Sequence, residues 1–151
     1  GTLRMGTIKG AAGIGGLLAM GIGDTIRVSL AADPVQEVLV GLDILRASGI
    51  RRDAPEIIAC PTCGRCQVDL LPLVEQVEAA VSGIHAAVKI AVMGCAVNGP
   101  GEGRDADIGV ACGRADGLLF KNGKILHKVP YDEIVPALVA LANEFVNGDH
   151  V

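Results

Sequence analysis

Five cysteines lie among 151 residues, and three of them, Cys60, Cys63 and Cys66, fall within the seven-residue stretch "CPTCGRC". Cys60 and Cys63 form C-x-x-C, a spacing that lets two sulfurs reach one metal centre from a single turn. A fourth cysteine, Cys95, ends the apolar run "AVKIAVMGC". If the strands leading to Cys60 and Cys95 are neighbours, their thiols converge at one edge of a sheet. The surrounding loops, "PTCG" and "NGPGEG", are rich in small residues. Small residues let backbone N–H groups approach an anionic centre and hydrogen-bond to sulfur.

Spacing leaves three chemistries open. Cys60, Cys63 and Cys66 match the C-x2-C-x2-C of a bacterial ferredoxin, but that motif continues with x3-C-P and position 70 is Leu. A structural zinc site needs a second C-x-x-C or a histidine pair, whereas His85, His127 and His150 are scattered. A thioredoxin-like dithiol should open a helix in a βαβ pattern, and it leaves Cys95 without a role. Iron–sulfur ligation accounts for more of the residues than zinc or a dithiol does.

The elements that must position these thiols follow from periodicity. Residues 7 to 20 read as a Gly-rich helix, and the β-branched "DTIRVSL" (Asp24 to Leu30) reads as a strand. A second helix should open with Asp33 as N-cap and Pro34 at its first position, and stop at Gly49. Val35, Val38, Leu39, Leu42 and Leu45 share one face of it at helical spacing. "IRRDAP" (Ile50 to Pro55) is a polar connector and the expected domain boundary, dividing residues 1–53 from 54–151. Beyond it, "EIIAC" is a short strand entering the cysteine loop. "VDLLPLVEQVEAAVSG" is an amphipathic helix with Val74, Val77 and Val81 on one side. "AVKIAVMGCAV" and "DIGVAC" are strands, separated by the loop "NGPGEGRDA". "LLFKNGKILHKV" is a hairpin about a type I′ Asn122-Gly123 turn. The last helix spans Pro130 to Asn147, with Pro136 confined to its first turns. Strands and helices therefore mix in an α/β (α+β) chain whose second part has its own core.

Composition narrows the function classes. Half the residues are apolar, yet there is no Trp, one Tyr (Tyr131) and two Phe, so the core must be aliphatic. The formal charge is −4, and no basic stripe interleaves with aromatics, which argues against nucleic acid as a partner. The most apolar stretch, Gly10 to Gly23, is Gly-rich and shorter than the ~20 residues a membrane span requires. It also lacks G-x-G-x-x-G, because position 18 is Leu, so it is no dinucleotide loop. A cytoplasmic location is expected, where clustered cysteines serve metal or redox chemistry rather than disulfides. A start at Gly1 rather than Met suggests a processed chain or a piece of a longer one.

"ACPTCGR", "VMGCAVNGPGE" and "GDTIRVSL" together resemble the 4-hydroxy-3-methylbut-2-enyl diphosphate synthases, the IspG/GcpE family of the non-mevalonate isoprenoid pathway. The resemblance covers nearly the whole chain, in the same order. It implies the C-terminal portion of such an enzyme: the last βα elements of a (β/α)8 TIM barrel in residues 1–53, then a cluster domain in 54–151. The latter is expected to be a mixed sheet packed by helices, similar to sulfite and nitrite reductase domains. The resemblance further implies a [4Fe-4S] cluster held by Cys60, Cys63, Cys95 and Glu102. A carboxylate is a harder, weaker ligand for such iron than thiolate, so Glu102 would be the one that gives way to substrate. Asn98 is implied near the substrate, and Arg27 and Ser29 as contacts to its diphosphate. Arg suits bidentate phosphate binding, and barrel enzymes keep their sites at strand C-termini. The implied reaction is reductive ring opening and dehydroxylation of 2-C-methyl-D-erythritol 2,4-cyclodiphosphate, with ferredoxin or flavodoxin as electron donor and a head-to-tail homodimer as the working unit. With most of the barrel missing, the isolated chain is expected to hold a cluster but not to turn over.

Each residue also has a plainer reading. Cys66 is then a spare thiol near a helix start, and Cys112 a small buried hydrophobe. Glu102 is a solvated loop carboxylate, Asn98 a turn residue, and Lys9 a solvated helix lysine. The alternative function is a non-catalytic metal-binding module, with zinc or an electron-transfer cluster.

Overall fold

The computed structural model describes residues 1–96, 101, 103 and 105–148. They divide into two compact units, Gly1–Asp53 and Ala54–Val151.

The first unit pairs helix α1 (Leu3–Ala19) with helix α2 (Pro34–Ala47). The start of α2 follows its sequence signals. The Asp33 side chain accepts a hydrogen bond from the Val35 N–H at 2.9 Å, and Pro34 occupies the first helical position. Between the helices, residues 24–30 form neither helix nor ladder, contrary to the strand expected there. The one pairing nearby is an isolated parallel bridge between Thr2 and Ala31. β-branched residues favour extended backbone, but a strand also needs a partner edge, and these residues have none within this unit. The segment nonetheless keeps a period of two. Val28 is buried and Ile26 and Leu30 are half-buried, while Arg27 and Ser29 are exposed. The unit's core is Leu18, Val28, Val40 and Ile44. The helix face expected to be apolar is therefore not the buried one: Val35 and Val38 are 62% and 63% exposed, and Val40, Gly41 and Ile44 pack inward. α2 carries apolar residues on two sides, and α1 and Val28 cover only one of them.

The second unit is a five-stranded mixed sheet in the order β1 (Glu56–Ala59), β2 (Lys89–Met93), β3 (Ile108–Cys112), β4 (Asp116–Lys121), β5 (Lys124–Pro130). The first three strands are mutually parallel, and β3–β4 and β4–β5 are antiparallel. Helix α3 (Leu70–Val81) connects β1 to β2, as a parallel pair requires. The β4–β5 turn is the expected one, with Asn122 and Gly123 at φ 49° and 72°. A 3-10 turn at Tyr131–Glu133 leads into helix α4 (Ile134–Gly148), with Pro136 in its first turn.

Both helices pack on one face of the sheet. Leu73, Val77 and Val81 of α3 and Ile134, Leu138 and Ala142 of α4 meet Ile90, Val92, Ile108, Val110 and Leu119. Each such fully buried aliphatic side chain contributes roughly 1.5–3 kcal/mol. Strand β3 is buried along its whole length, since residues on the opposite face, Ala91, Met93, Ala111 and Phe120, form a second cluster with Ala106. This rigid platform places the C-terminal ends of β1, β2 and β3 side by side.

Candidate metal centre

Cys60 directly follows β1, Gly94 and Cys95 follow β2, and Cys112 is the last residue of β3. The register sets Ala59 beside Val92, and Val92 beside Val110, so three cysteine-bearing strand ends are neighbours at one edge. In open parallel sheets, ligands bind outside the carboxyl ends of the strands. The expected convergence of strand ends is therefore present.

The cysteine loop is fastened to β2 at both of its feet. Cys60 N–H donates to the Val92 carbonyl at 3.3 Å, and Gln67 N–H donates to the Gly94 carbonyl at 2.8 Å. Between them the chain turns sharply, with Cys66 N–H bonded to the Cys63 carbonyl at 2.9 Å. Thr62 sits at φ 48°, a left-handed conformation that a β-branched residue adopts only under constraint.

The thiols are in different surroundings. Cys95 is buried, Cys60 and Cys66 are half-buried, and Cys63 is exposed. Gly94 N–H donates to Cys60 Sγ at 3.3 Å, a backbone hydrogen bond of the kind that tunes thiolate-bound centres. Cys66 Sγ turns inward and donates to the Val68 carbonyl at 3.2 Å. Both sulfurs lie close to Gly94. A β-carbon at position 94 would overlap Cys66 Sγ and come within 3.4 Å of Cys60 Sγ. Small residues were expected to serve this role in "PTCG" and "NGPGEG", but the N–H that reaches sulfur belongs to the glycine just before Cys95. The signal was present in "MGC".

Cys112 is fully buried. Loss of water, with a smaller contribution from the nearby Cys66 and Cys60, pushes its thiol up to about 12, so it stays protonated. It is the small buried residue expected of it.

Among the described residues no three ligating side chains are gathered at metal-binding distance. The structure brings Cys60 and Cys66 to one glycine, carries Cys95 on the next strand, and leaves Cys63 at the loop surface. Asn98 and Glu102 lie outside the described residues. The donor chemistry nonetheless fits a thiolate-bound centre: soft sulfur donors at adjacent strand ends, an N–H aimed at one of them, and a glycine where a side chain would obstruct.

In the first unit, Arg27 lines a shallow cleft of about 310 Å³ with Val28, Glu37, Val38 and Gly41. Glu37 accepts from Leu30 N–H at 2.8 Å, which ties the end of segment 24–30 to α2. Arg27 enters no ion pair among the described residues.

A mixed sheet with cysteines at the ends of its parallel strands defines a thiol-bearing α/β domain. The chain belongs to the GcpE family. Residues 56–144 match the model of the GcpE protein C-terminal domain, and residues 1–42 match that of the GcpE TIM-barrel domain. Curated relatives include a 4-hydroxy-3-methylbut-2-en-1-yl diphosphate synthase (flavodoxin) of Geobacter sulfurreducens, 53% identical over 99% of this chain and 42% of its own length. That of Brevibacillus brevis is 55% identical over 97% of this chain and 41% of its own length. That of Anoxybacillus flavithermus is 53% identical over 91% and 38%. The chain thus spans about two fifths of the length of these relatives. No helix among the described residues is long and apolar enough to cross a membrane.

Proposed function

We propose that this chain is the cluster-bearing C-terminal part of a 4-hydroxy-3-methylbut-2-enyl diphosphate synthase, acting on 2-C-methyl-D-erythritol 2,4-cyclodiphosphate. The observation that carries the reading is the placement of Cys60 and Cys95 at the C-terminal ends of adjacent parallel strands, in a chain 53% identical to a synthase of that name. Cys60, Cys63, Cys95 and Glu102 would hold a [4Fe-4S] cluster, which when bound supplies electrons to the substrate one at a time. The protein's own part is positional. Hydrogen bonds from Cys60 N–H to Val92 and from Gln67 N–H to Gly94 hold the ligand loop on β2. Gly94 N–H supports negative charge on Cys60 Sγ. Arg27 and Ser29, exposed at alternate positions of segment 24–30, are suited to binding the substrate's diphosphate. Asn98 is assigned to substrate orientation. The name of the relatives supports flavodoxin as electron donor, with ferredoxin as the other candidate. The assembly is assigned as a cytoplasmic homodimer.

The test uses the full-length protein, supplied with reduced flavodoxin and the cyclodiphosphate. Wild type should release the open-chain diphosphate. Glu102→Cys should retain the cluster spectrum and lose most turnover, because a fourth thiolate does not give way as a carboxylate does. The isolated 151-residue chain should be inactive. Unchanged activity in Glu102→Cys would refute the exchangeable-ligand role, and turnover by the isolated chain would refute the need for the barrel.

A further inference from the structure

Cys66 has no part in the proposed ligand set, yet its sulfur is not directed at random. It turns inward against Gly94, and Cys60 Sγ lies close to the same β-carbon position of that glycine, so the two sulfurs are near each other. The loop carrying both cysteines has its feet on the carbonyls of Val92 and Gly94. Two residues of an extended strand span about 6.6 Å. The two feet, Cys60 and Gln67, are thus held close together, and Cys66 is the residue just before the second of them; a disulfide spans roughly 4.4–6.8 Å between Cα atoms. Both thiols are half-buried, so a small oxidant can reach them, whereas Cys95 and Cys112 are buried. Cys63 is exposed, and no side-chain interaction ties it to either partner among the described residues.

We infer that Cys60 and Cys66 are a redox pair: in the cluster-free chain they close a reversible disulfide beside Gly94. The co-reactant is a low-molecular-weight disulfide such as oxidised glutathione. One chain thiolate attacks it, forming a mixed disulfide and releasing one glutathione thiolate. The second chain thiol then loses its proton and attacks the chain sulfur of the mixed disulfide, releasing the second glutathione. One S–S bond is consumed and one formed; two chain thiols are oxidised, and their protons leave with the two glutathione thiols. Cys66 must give up its bond to the Val68 carbonyl to do this, a weak bond because a thiol is a poor donor. A partly exposed disulfide of this kind is readily reduced again by thiols. Where Cys60 is also a cluster ligand, which rests on the function proposed above, the disulfide and the cluster exclude each other. Cys66 would then cap a ligand that lacks its metal and keep it from irreversible oxidation.

Trypsin cleaves after Arg65, so Cys60 and Cys66 fall on separate peptides, residues 53–65 and 66–89. The metal-free chain is equilibrated anaerobically with oxidised and reduced glutathione, alkylated, digested without reduction and analysed by mass spectrometry. The expected result is a linked pair of these peptides in the majority of chains. Fragmentation should place the bond at Cys60, excess dithiothreitol should abolish it, Cys63→Ser should leave it intact, and Cys66→Ser should remove it. A bond placed at Cys63 would overturn the inference. So would persistent glutathione adducts without any linked peptides, or linkage of Cys66 to Cys112. The oxidised chain should take up no iron and sulfide until it is reduced. If the linked peptide forms but the reduced chain never takes up iron, the redox pair stands and the ligand assignment falls.

Discussion

Gly94→Ala tests the geometry of the cysteine edge through stability alone. The new β-carbon would overlap Cys66 Sγ and would stand 3.4 Å from Cys60 Sγ and 3.5 Å from Cys66 Cβ. Residue 94 cannot easily retreat. Its N–H is bonded to Cys60 Sγ and its carbonyl to Gln67 N–H, each worth about 1 kcal/mol. Overpacking of this kind costs about 1–3 kcal/mol. In a unit of this size each 1 kcal/mol lowers Tm by roughly 4–8 °C. Cys66→Ala removes the overlapped atom. Alone it should cost about 1 kcal/mol, mainly the bond to the Val68 carbonyl. In the double variant the alanine methyl has room, so the two costs should fail to add by about 1–2 kcal/mol. The assay is urea unfolding of the metal-free chain in excess reductant. It can be followed by tyrosine fluorescence, because the sole tyrosine, Tyr131, lies in the same unit as the cysteines. Additivity within about 0.5 kcal/mol would refute the packing described here, since independent sites behave that way. A Gly94→Ala variant as stable as wild type would refute it as well.

Asp53 accepts hydrogen bonds from Arg46 and Arg51, which lower its carboxyl from 3.8 to about 2. A depressed carboxylate stabilises the fold above its unfolded value and loses that contribution as pH falls through the folded value. Carbon-detected NMR titration should therefore place the Asp53 midpoint near 2, and Arg46→Ala should move it back toward 3.8; a midpoint near 3.8 in wild type would contradict the ion pairs. At the β4–β5 turn, Gly123→Ala should destabilise by about 1–2 kcal/mol, because φ 72° is costly for any residue with a β-carbon. Asn122→Gly should be close to neutral by the same urea assay, and a neutral Gly123→Ala would argue against the I′ turn.

Local chemistry made much of this chain readable from its sequence. Asp33-Pro34 announced α2, Asn122-Gly123 announced the hairpin, and Val77 and Val81 identified the buried side of α3, since each signal acts within a few residues. Features that depend on distant partners were less accessible. Residues 24–30 read as a strand from their β-branched content, but pairing is decided by a neighbouring edge that no local pattern encodes. α2 has apolar residues on two sides, so periodicity could not say which side α1 and Val28 would cover. At the cysteine edge, spacing united Cys60 and Cys63, the strand before it brought in Cys95, and motif resemblance added Glu102. The contact of Cys66 with Gly94 arises from the register of the loop on β2, which is a tertiary property. The expected roles of Asn98 and Glu102 fall on positions outside the described residues, and their assignment rests on the motif "NGPGE".

The most direct measurement counts iron and acid-labile sulfide after anaerobic reconstitution of the chain and its single cysteine variants. About four of each per chain are expected for wild type, Cys66→Ser and Cys112→Ser, with loss in Cys60→Ser, Cys63→Ser and Cys95→Ser. A colourless chain holding one zinc, or a cluster that needs Cys66 and not Cys95, would contradict the assignment.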